Sequence, residues 1–107
     1  MYHEAIGKGD FEALRSLLAD KLDFEGPIAK HDNPEGLIGD LKGLSQIVEG
    51  MEPMKLFADG NDVCFIYKLK SKVAFAPVAE WFHVTNGKID FIRVVFDARP
   101  YASLFNS

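Results

Sequence analysis

The sequence contains a single cysteine, Cys64, so a disulfide bond within the chain is excluded. Cys64 lies in the apolar run 63–67, where a free cysteine typically acts as a small buried hydrophobic residue. We therefore predict a buried, unreactive thiol. A chain without a disulfide framework is typical of a reducing compartment, and we predict a cytoplasmic location.

A long apolar segment and an excess of positive charge are also missing. No stretch approaches the roughly 20 apolar residues of a membrane-spanning helix, and residues 1–10 contain no apolar core of a secretion signal. Lys and Arg number 12 against 16 Asp and Glu, and no basic cluster stands out. These features argue against a membrane and against nucleic acid as partners.

Metal ligands are sparse as well. The three histidines are scattered, and no His or Cys pair has the spacing of a metal site. We predict no metal and no other cofactor.

Enough apolar material is present for one folded domain. Of 107 residues, 48% are hydrophobic and 26% are charged, as in globular proteins. This length fits one domain rather than two, so we assign residues 1–107 to a single domain.

The first half of the chain has helical periodicity. Residues 2–8 have the pattern of a helix end, and apolar residues within 10–18 predict a second helix with Asp10 as its N-cap. A third apolar stripe within 41–48 predicts a helix that ends before Gly50 and Pro53.

The second half alternates like strands. After a short strand at Leu22–Glu25 and a loop over 28–34, strands are predicted at 54–58, 63–69, 73–84 and 89–96. The turns between them fall at 59–62, 70–72 and Asn86-Gly87, and a last short helix is predicted after Pro100. Helices followed by a long antiparallel sheet indicate an α+β fold with the helices on one face.

Strands 63–69 and 89–96 carry apolar residues at both parities. A sheet that helices cover on one face is expected to be polar on the other. We therefore predict a homodimer in which a second copy covers the outer face.

The stretch VAEWFHVTNGKI places Glu80 among apolar residues. If the hairpin loop is the pair Asn86-Gly87, Glu80 lies opposite Arg93, and an ion pair explains it. If the loop has three residues and begins at Thr85, Glu80 lies opposite Ile92. The order Asn-Gly-Lys favours this second register.

Parity in the second register divides the residues between two faces. The inner face is predicted to be an apolar pocket wall with Phe24, Val78, Phe82, Ile92, Val94 and Phe96. The outer face is predicted to be the dimer contact, with Trp81, His83, Phe91 and Val95. A carboxyl group in an apolar wall is desolvated, and such a group serves as an acid, a base or a hydrogen-bond donor.

The order of elements, with Gly9-Asp10, a strand ending near Gly26-Pro27, the turn 86–89 and Phe96-Asp97, resembles the SnoaL-like branch of the nuclear transport factor 2-like superfamily. The resemblance covers essentially the whole chain. It implies a cone-shaped barrel, in which a curved antiparallel sheet packs against N-terminal helices and dimerises through its outer face.

Ketosteroid isomerases and polyketide cyclases of this superfamily suggest roles for single residues. The resemblance to the isomerases puts Tyr2 and Glu80 at oxyanion-hole positions, and the resemblance to the cyclases makes Asp97 an acid/base candidate. The general base of the isomerases falls at Gly26, which has no carboxylate. His31, in the polar loop that would rim the pocket, is a candidate to replace it.

Each candidate also has a structural interpretation. Asp97 is positioned to cap the C-terminal segment or to pair with Arg99 or Arg93. His31 and Asp32 fit an ordinary surface loop, and His83 fits a packed histidine on the outer face.

These features predict a protein that binds a small apolar molecule. One hypothesis is a cofactor-free acid/base isomerase, cyclase or dehydratase that acts on a carbonyl or hydroxyl compound. The other is a non-catalytic ligand-binding or dimerisation module of the same fold.

Overall fold

The described residues form three helices and one six-stranded sheet. The computed structural model describes residues 2–27, 29–72, 75–97 and 99. The predicted helix after Pro100 and the first residues of the strand predicted from Val73 lie outside these ranges.

The helices begin and end at recognisable signals. They are α1 (Tyr2–Lys8), α2 (Phe11–Leu17) and α3 (Pro34–Ser45). The left-handed Gly9, with φ of 70°, ends α1, and the Asp10 carboxylate caps α2 by accepting from the backbone N–H of Ala13. The predicted N-cap at Asp10 is thus confirmed.

Two helices have boundaries that differ from the prediction. α3 begins at Pro34, because Asn33 caps it and proline fits the first turn of a helix, and it ends at Ser45. Val48 therefore begins a strand instead of ending the helix, and Pro53 lies within that strand. Leu18 is the first residue of the first strand rather than the last of α2.

The sheet is mixed rather than wholly antiparallel. Its strands are β1 (Leu18–Glu25), β2 (Lys30–His31), β3 (Val48–Asp59), β4 (Asp62–Ser71), β5 (Phe75–Thr85) and β6 (Lys88–Phe96). They lie in the order β2-β1-β6-β5-β4-β3. The meander β3 to β6 is antiparallel as predicted, but β6 returns beside β1 in parallel. With the three helices on one face, this curved sheet forms an α+β cone.

The hairpin between β5 and β6 departs from both predicted registers. Its loop has two residues, Asn86 and Gly87, both with positive φ, and Thr85 pairs with Lys88. A bulge in β6 then adds one residue, so Glu80 lies opposite Val94 rather than Ile92 or Arg93. The predicted three-residue loop is wrong, but the predicted inner face of Glu80 is retained.

The core lies between the helices and the inner face of the sheet. Leu14, Leu18, Leu22, Leu37 and Ile92 are almost completely buried there. Cys64 is only half-buried, because it lies on the outer face opposite Trp81. No helix among the described residues is long and apolar enough to cross a membrane.

Two glycine-to-alanine substitutions are expected to have opposite effects. Gly87 has φ of 78°, so Gly87→Ala destabilises the fold by about 1–2 kcal/mol through backbone strain. Gly39 lies in α3 with open space around it, so Gly39→Ala stabilises by up to about 1 kcal/mol. Urea unfolding measures both changes, and equal effects would contradict the two-residue turn.

Candidate functional site

An apolar cavity lies between α3 and the inner face of the sheet. Its volume is about 120 Å³. Among the described residues that line it, only Asp40 and Tyr67 have polar side chains. The others are Phe24, Gly26, Pro27, Ala29, Leu37, Leu41, Leu44, Leu69, Val78, Val94 and Phe96.

The predicted ligand-binding residues divide between this cavity and the core. Phe24, Val78, Val94 and Phe96 line the cavity. Phe82 and Ile92 lie instead in the core cluster with α1 and α2, nearer to the hairpin turn. The cavity therefore occupies only the end of the inner face that α3 covers.

Glu80 is buried behind Tyr67, a cavity-lining residue. Only 4% of Glu80 is exposed. Its Oε1 accepts a hydrogen bond from the Tyr67 hydroxyl and lies 2.6 Å from His3 Nε2. The predicted alternative partner, Arg93, binds the Asp23 carboxylate on β1. Glu80 is thus part of a hydrogen-bonded chain that runs from His3 to the cavity.

Secondary structure explains how three distant residues meet. Tyr67 on β4 lies opposite Val78 on β5, so Tyr67 and Glu80 are diagonal neighbours on one face of the sheet. α1 crosses this face and directs His3 toward Glu80. The His3 ring is surrounded by the rings of Tyr2, Phe65, Tyr67 and Phe82, with centroids 5.0–5.9 Å away.

Sequence reasoning missed three site residues, which are His3, Tyr67 and the cavity-lining Asp40. His3 directly follows Tyr2, the residue selected by resemblance, and it is His3 that contacts the carboxylate. Tyr67 shares the inner face with Phe65, which lies opposite Glu80. The strand parity of β4 would have identified it if the β4–β5 register had been known.

Tyr2 lies in the core rather than on the cavity wall. It is 8% exposed, and its ring packs edge-on against Phe82 at 5.2 Å. Burial raises the pKa of Tyr2 well above its usual value near 10, and the negative charge of Glu80 adds to this rise.

His31 does not line the cavity itself but contacts the carboxylate of Asp40, which does. Its Nε2 lies 2.6 Å from Oδ2 of Asp40, which lines the cavity. The neighbouring Asp32 is exposed and accepts a hydrogen bond from Asn33. Among the predicted acid/base candidates, His31 and Glu80 are thus each one contact from the cavity wall.

Asp97 takes its predicted structural role. Its exposed carboxylate binds the guanidinium of Arg99, with Nη2 at 2.6 Å. Hydrogen bonds from the Arg99 side chain and backbone lower the pKa of Asp97 to about 2. It is absent from the described lining of the cavity.

The outer face of the sheet carries the four predicted contact residues. Trp81 and Val95 are 47% and 69% exposed. The Trp81 indole and the His83 imidazole both bond to Asp62 Oδ1, and the Trp81 ring packs against Phe91. This face is separate from the cavity. Within the described part of the chain, no group of three or more His, Cys, Asp or Glu residues is arranged to hold a metal ion.

Comparison with known proteins identifies the family. Residues 1–92 match the family model of the SnoaL-like domain. The chain belongs to the SnoaL-like family. No curated protein matches the sequence.

Solved structures agree with this SnoaL-like assignment. A protein from Kribbella flavida is 24% identical with a TM-score of 0.87, and the match covers 95% of this chain and 85% of that one. A nuclear transport factor 2-like protein of unknown function from Cytophaga hutchinsonii is 25% identical with a TM-score of 0.80, over 94% and 87%. A candidate polyketide cyclase from Sinorhizobium meliloti is 18% identical with a TM-score of 0.79, over 87% and 88%. These likenesses show a nuclear transport factor 2-like fold.

The buried Tyr2 is expected to make the fold sensitive to alkali. Above pH 10, Tyr2 ionises in the unfolded chain but stays neutral in the folded chain, because burial raises its pKa. The free energy of unfolding is therefore unaffected by the ionisation of Tyr2 below pH 10 and falls as the pH rises above 10. Tyr2 alone contributes a loss of up to about 1.4 kcal/mol for each further pH unit.

Urea unfolding of wild type and Tyr2→Phe between pH 8 and 11.5 measures this loss. The variant is expected to have the flatter profile. Parallel profiles would show that Tyr2 ionises freely in the folded protein.

Proposed function

We propose that this SnoaL-like protein binds a small, neutral, largely apolar compound through its carbonyl or hydroxyl oxygen. The observation that carries the proposal is Tyr67 on a wall whose other described residues, apart from Asp40, are apolar, with its hydroxyl donating a hydrogen bond to the buried carboxyl of Glu80. Ligand pockets typically combine apolar walls with a few polar groups that fix orientation.

The cavity volume limits the size of the compound. An apolar cavity of about 150 Å³ holds benzene, and this cavity measures about 120 Å³. A compound of about one ring is therefore the upper limit for this space. A multi-ring steroid is too large for the cavity as it stands.

We propose that the chain His3, Glu80 and Tyr67 stabilises negative charge on the ligand oxygen. As charge develops there, the Tyr67 hydroxyl donates to the ligand instead of to Glu80. Glu80 stays in contact with His3, which holds the carboxyl in place beside the Tyr67 oxygen. Every donor keeps an acceptor, and negative charge on the ligand is stabilised in a site of low polarity.

Such a site suits cofactor-free isomerisation, cyclisation or dehydration, in which an enolate or a related oxyanion forms. The alternative is a ligand-binding or dimerisation module without chemistry. Gly26 favours that alternative, since it lines the cavity where the isomerases of the superfamily carry their base. The cytoplasmic location inferred from Cys64 stays a prediction.

Hydrogen exchange of a simple ketone distinguishes the two functions. We expect the wild type to exchange the α-hydrogens of cyclohexanone in D₂O faster than buffer does. Glu80→Gln and Tyr67→Phe are each expected to lower the enzymatic rate at least about 100-fold, because each interrupts the donor chain.

Tyr2→Phe is the matched control, since it removes a nearby hydroxyl that is not on the cavity wall. It is expected to keep the rate. NMR follows the exchange, and circular dichroism checks the fold of each variant. Cyclohexanone binding without exchange would favour the non-catalytic module.

We also propose that two copies pair through the outer sheet face. Phe57 on β3, Trp81 on β5 and Val95 on β6 are 53%, 47% and 69% exposed on this side of the sheet. Exposed apolar clusters of this kind commonly mark contacts between proteins.

Light scattering at micromolar concentration tests the pairing. The wild type is expected to be a dimer and Val95→Glu a monomer, because the new charge would be buried unpaired. Ser16→Glu adds the same charge at an exposed position of α2, away from the outer sheet face, and this variant is expected to stay dimeric. A monomeric wild type would refute the outer-face contact.

A further inference from the structure

A second histidine–carboxylate pair borders the same cavity. We propose that Asp40, held in position by His31, is the proton acceptor for the bound compound and replaces the base that is missing at Gly26. This inference rests on the proposed function, because it supplies the group that removes the proton whose loss creates the oxyanion.

The position of Asp40 on α3 supports this role. Residues 37, 40, 41 and 44 follow the i, i+3, i+4, i+7 pattern that faces one side of a helix, and all four line the cavity. Three of them are leucines, and Asp40 is the one charged residue among them. Asp40 therefore carries the one carboxylate among the described residues that line the cavity, and 39% of its side chain is exposed.

Two features of the fold hold the His31 ring against Asp40. His31 on β2 pairs with Phe24 on β1, and the two rings lie 5.9 Å apart and tilted by 31°. On the other side, a Cβ at Gly36 would lie only 2.5 Å from His31 Nδ1, so glycine there leaves room for the ring. His31 is a positioning residue, since it contacts Asp40 and does not line the cavity.

The proposed step balances without a cofactor. The Asp40 carboxylate accepts a proton from the carbon beside the carbonyl. The electron pair of that C–H bond forms a C=C bond, and the carbonyl electron pair moves to the oxygen, to which Tyr67 donates a hydrogen bond. The Asp40 carboxylic acid then returns the proton, or a deuteron taken from solvent, to carbon.

Cyclohexanone exchange in D₂O tests the role of Asp40. Asp40→Asn is expected to lower kcat at least about 100-fold with little change in KM, because the amide cannot accept the proton. Asp32→Asn removes the same charge from the exposed neighbour of His31, and its rate is expected to be unchanged.

Two further variants test the positioning role of His31. His31→Asn is expected to lower kcat at least about tenfold, because the carboxylate loses its orientation. Gly36→Ala is expected to have a similar effect, since its Cβ displaces the ring while alanine favours the helix. KM and thermal stability are expected to stay close to wild type in both.

A binding measurement tests Asp40 without any turnover. Cyclohexylamine and cyclohexanol have the same ring, but the amine carries a positively charged ammonium group in place of the hydroxyl. The ammonium group can pair with a carboxylate that faces the ligand. We expect the wild type to bind the amine at least about threefold more tightly than the alcohol. Asp40→Asn is expected to lose this preference, and Asp32→Asn to keep it.

The outcomes separate this inference from the proposed function. Exchange that depends on Tyr67 but survives Asp40→Asn overturns the role of Asp40 and leaves the proposed function intact. Equal losses in Asp40→Asn and Asp32→Asn also overturn it, because they show a general charge effect. Failure of the wild type to exchange overturns the base together with the catalytic proposal. Absence of the amine preference overturns the inference by itself.

Discussion

The buried carboxyl group of Glu80 constrains the rest of the structure. A carboxyl in an apolar interior is costly unless hydrogen-bond partners surround it. Here the partners come from β4 and α1, so the pairing fixes how α1 crosses the sheet. The same contact between His3 and Glu80 places the His3 ring among the surrounding aromatic rings. Tyr67 joins this buried polar cluster to the cavity, because it donates to Glu80 and also lines the cavity.

Local signals predicted much of the fold. Asp10, Gly9 and the Asn86-Gly87 turn act through their own backbone preferences, which sequence shows directly. The bulge in β6 is different, because it depends on packing. It allows Ile89 and Ile92, three residues apart, both to face the core. Part of the apolar pattern at both parities of β6 therefore comes from the bulge. The remainder comes from apolar residues, such as Val95, that lie on the exposed outer face.

The candidate site was predicted in part. Resemblance selected Glu80, and strand parity selected Val78, Val94 and Phe96, which line the cavity. Parity also selected Phe82 and Ile92, which lie in the core, because parity gives the face of a strand but not the position along it. Tyr67 depends on the β4–β5 register, which a turn predicted at 70–72 obscured; β4 continues through Ser71. Asp40 was missed because the third helix was predicted from the stripe that begins at Leu41, whereas α3 begins at Pro34. The pair Asn33-Pro34, a cap followed by proline, was the signal that would have corrected it.

α1 has only seven residues, and helices of this length are marginal in water by themselves. Its order therefore comes from packing on the sheet, and short segments of this kind are among those that can open locally in native proteins. Each such opening takes His3 away from Glu80 and admits water to a carboxyl that is otherwise dry. Under the proposed function, the fraction of molecules able to stabilise an oxyanion would thus depend on the order of one short helix. Because Tyr2 and Ala5 of α1 belong to the core cluster, the packing that stabilises the core also holds His3 in place.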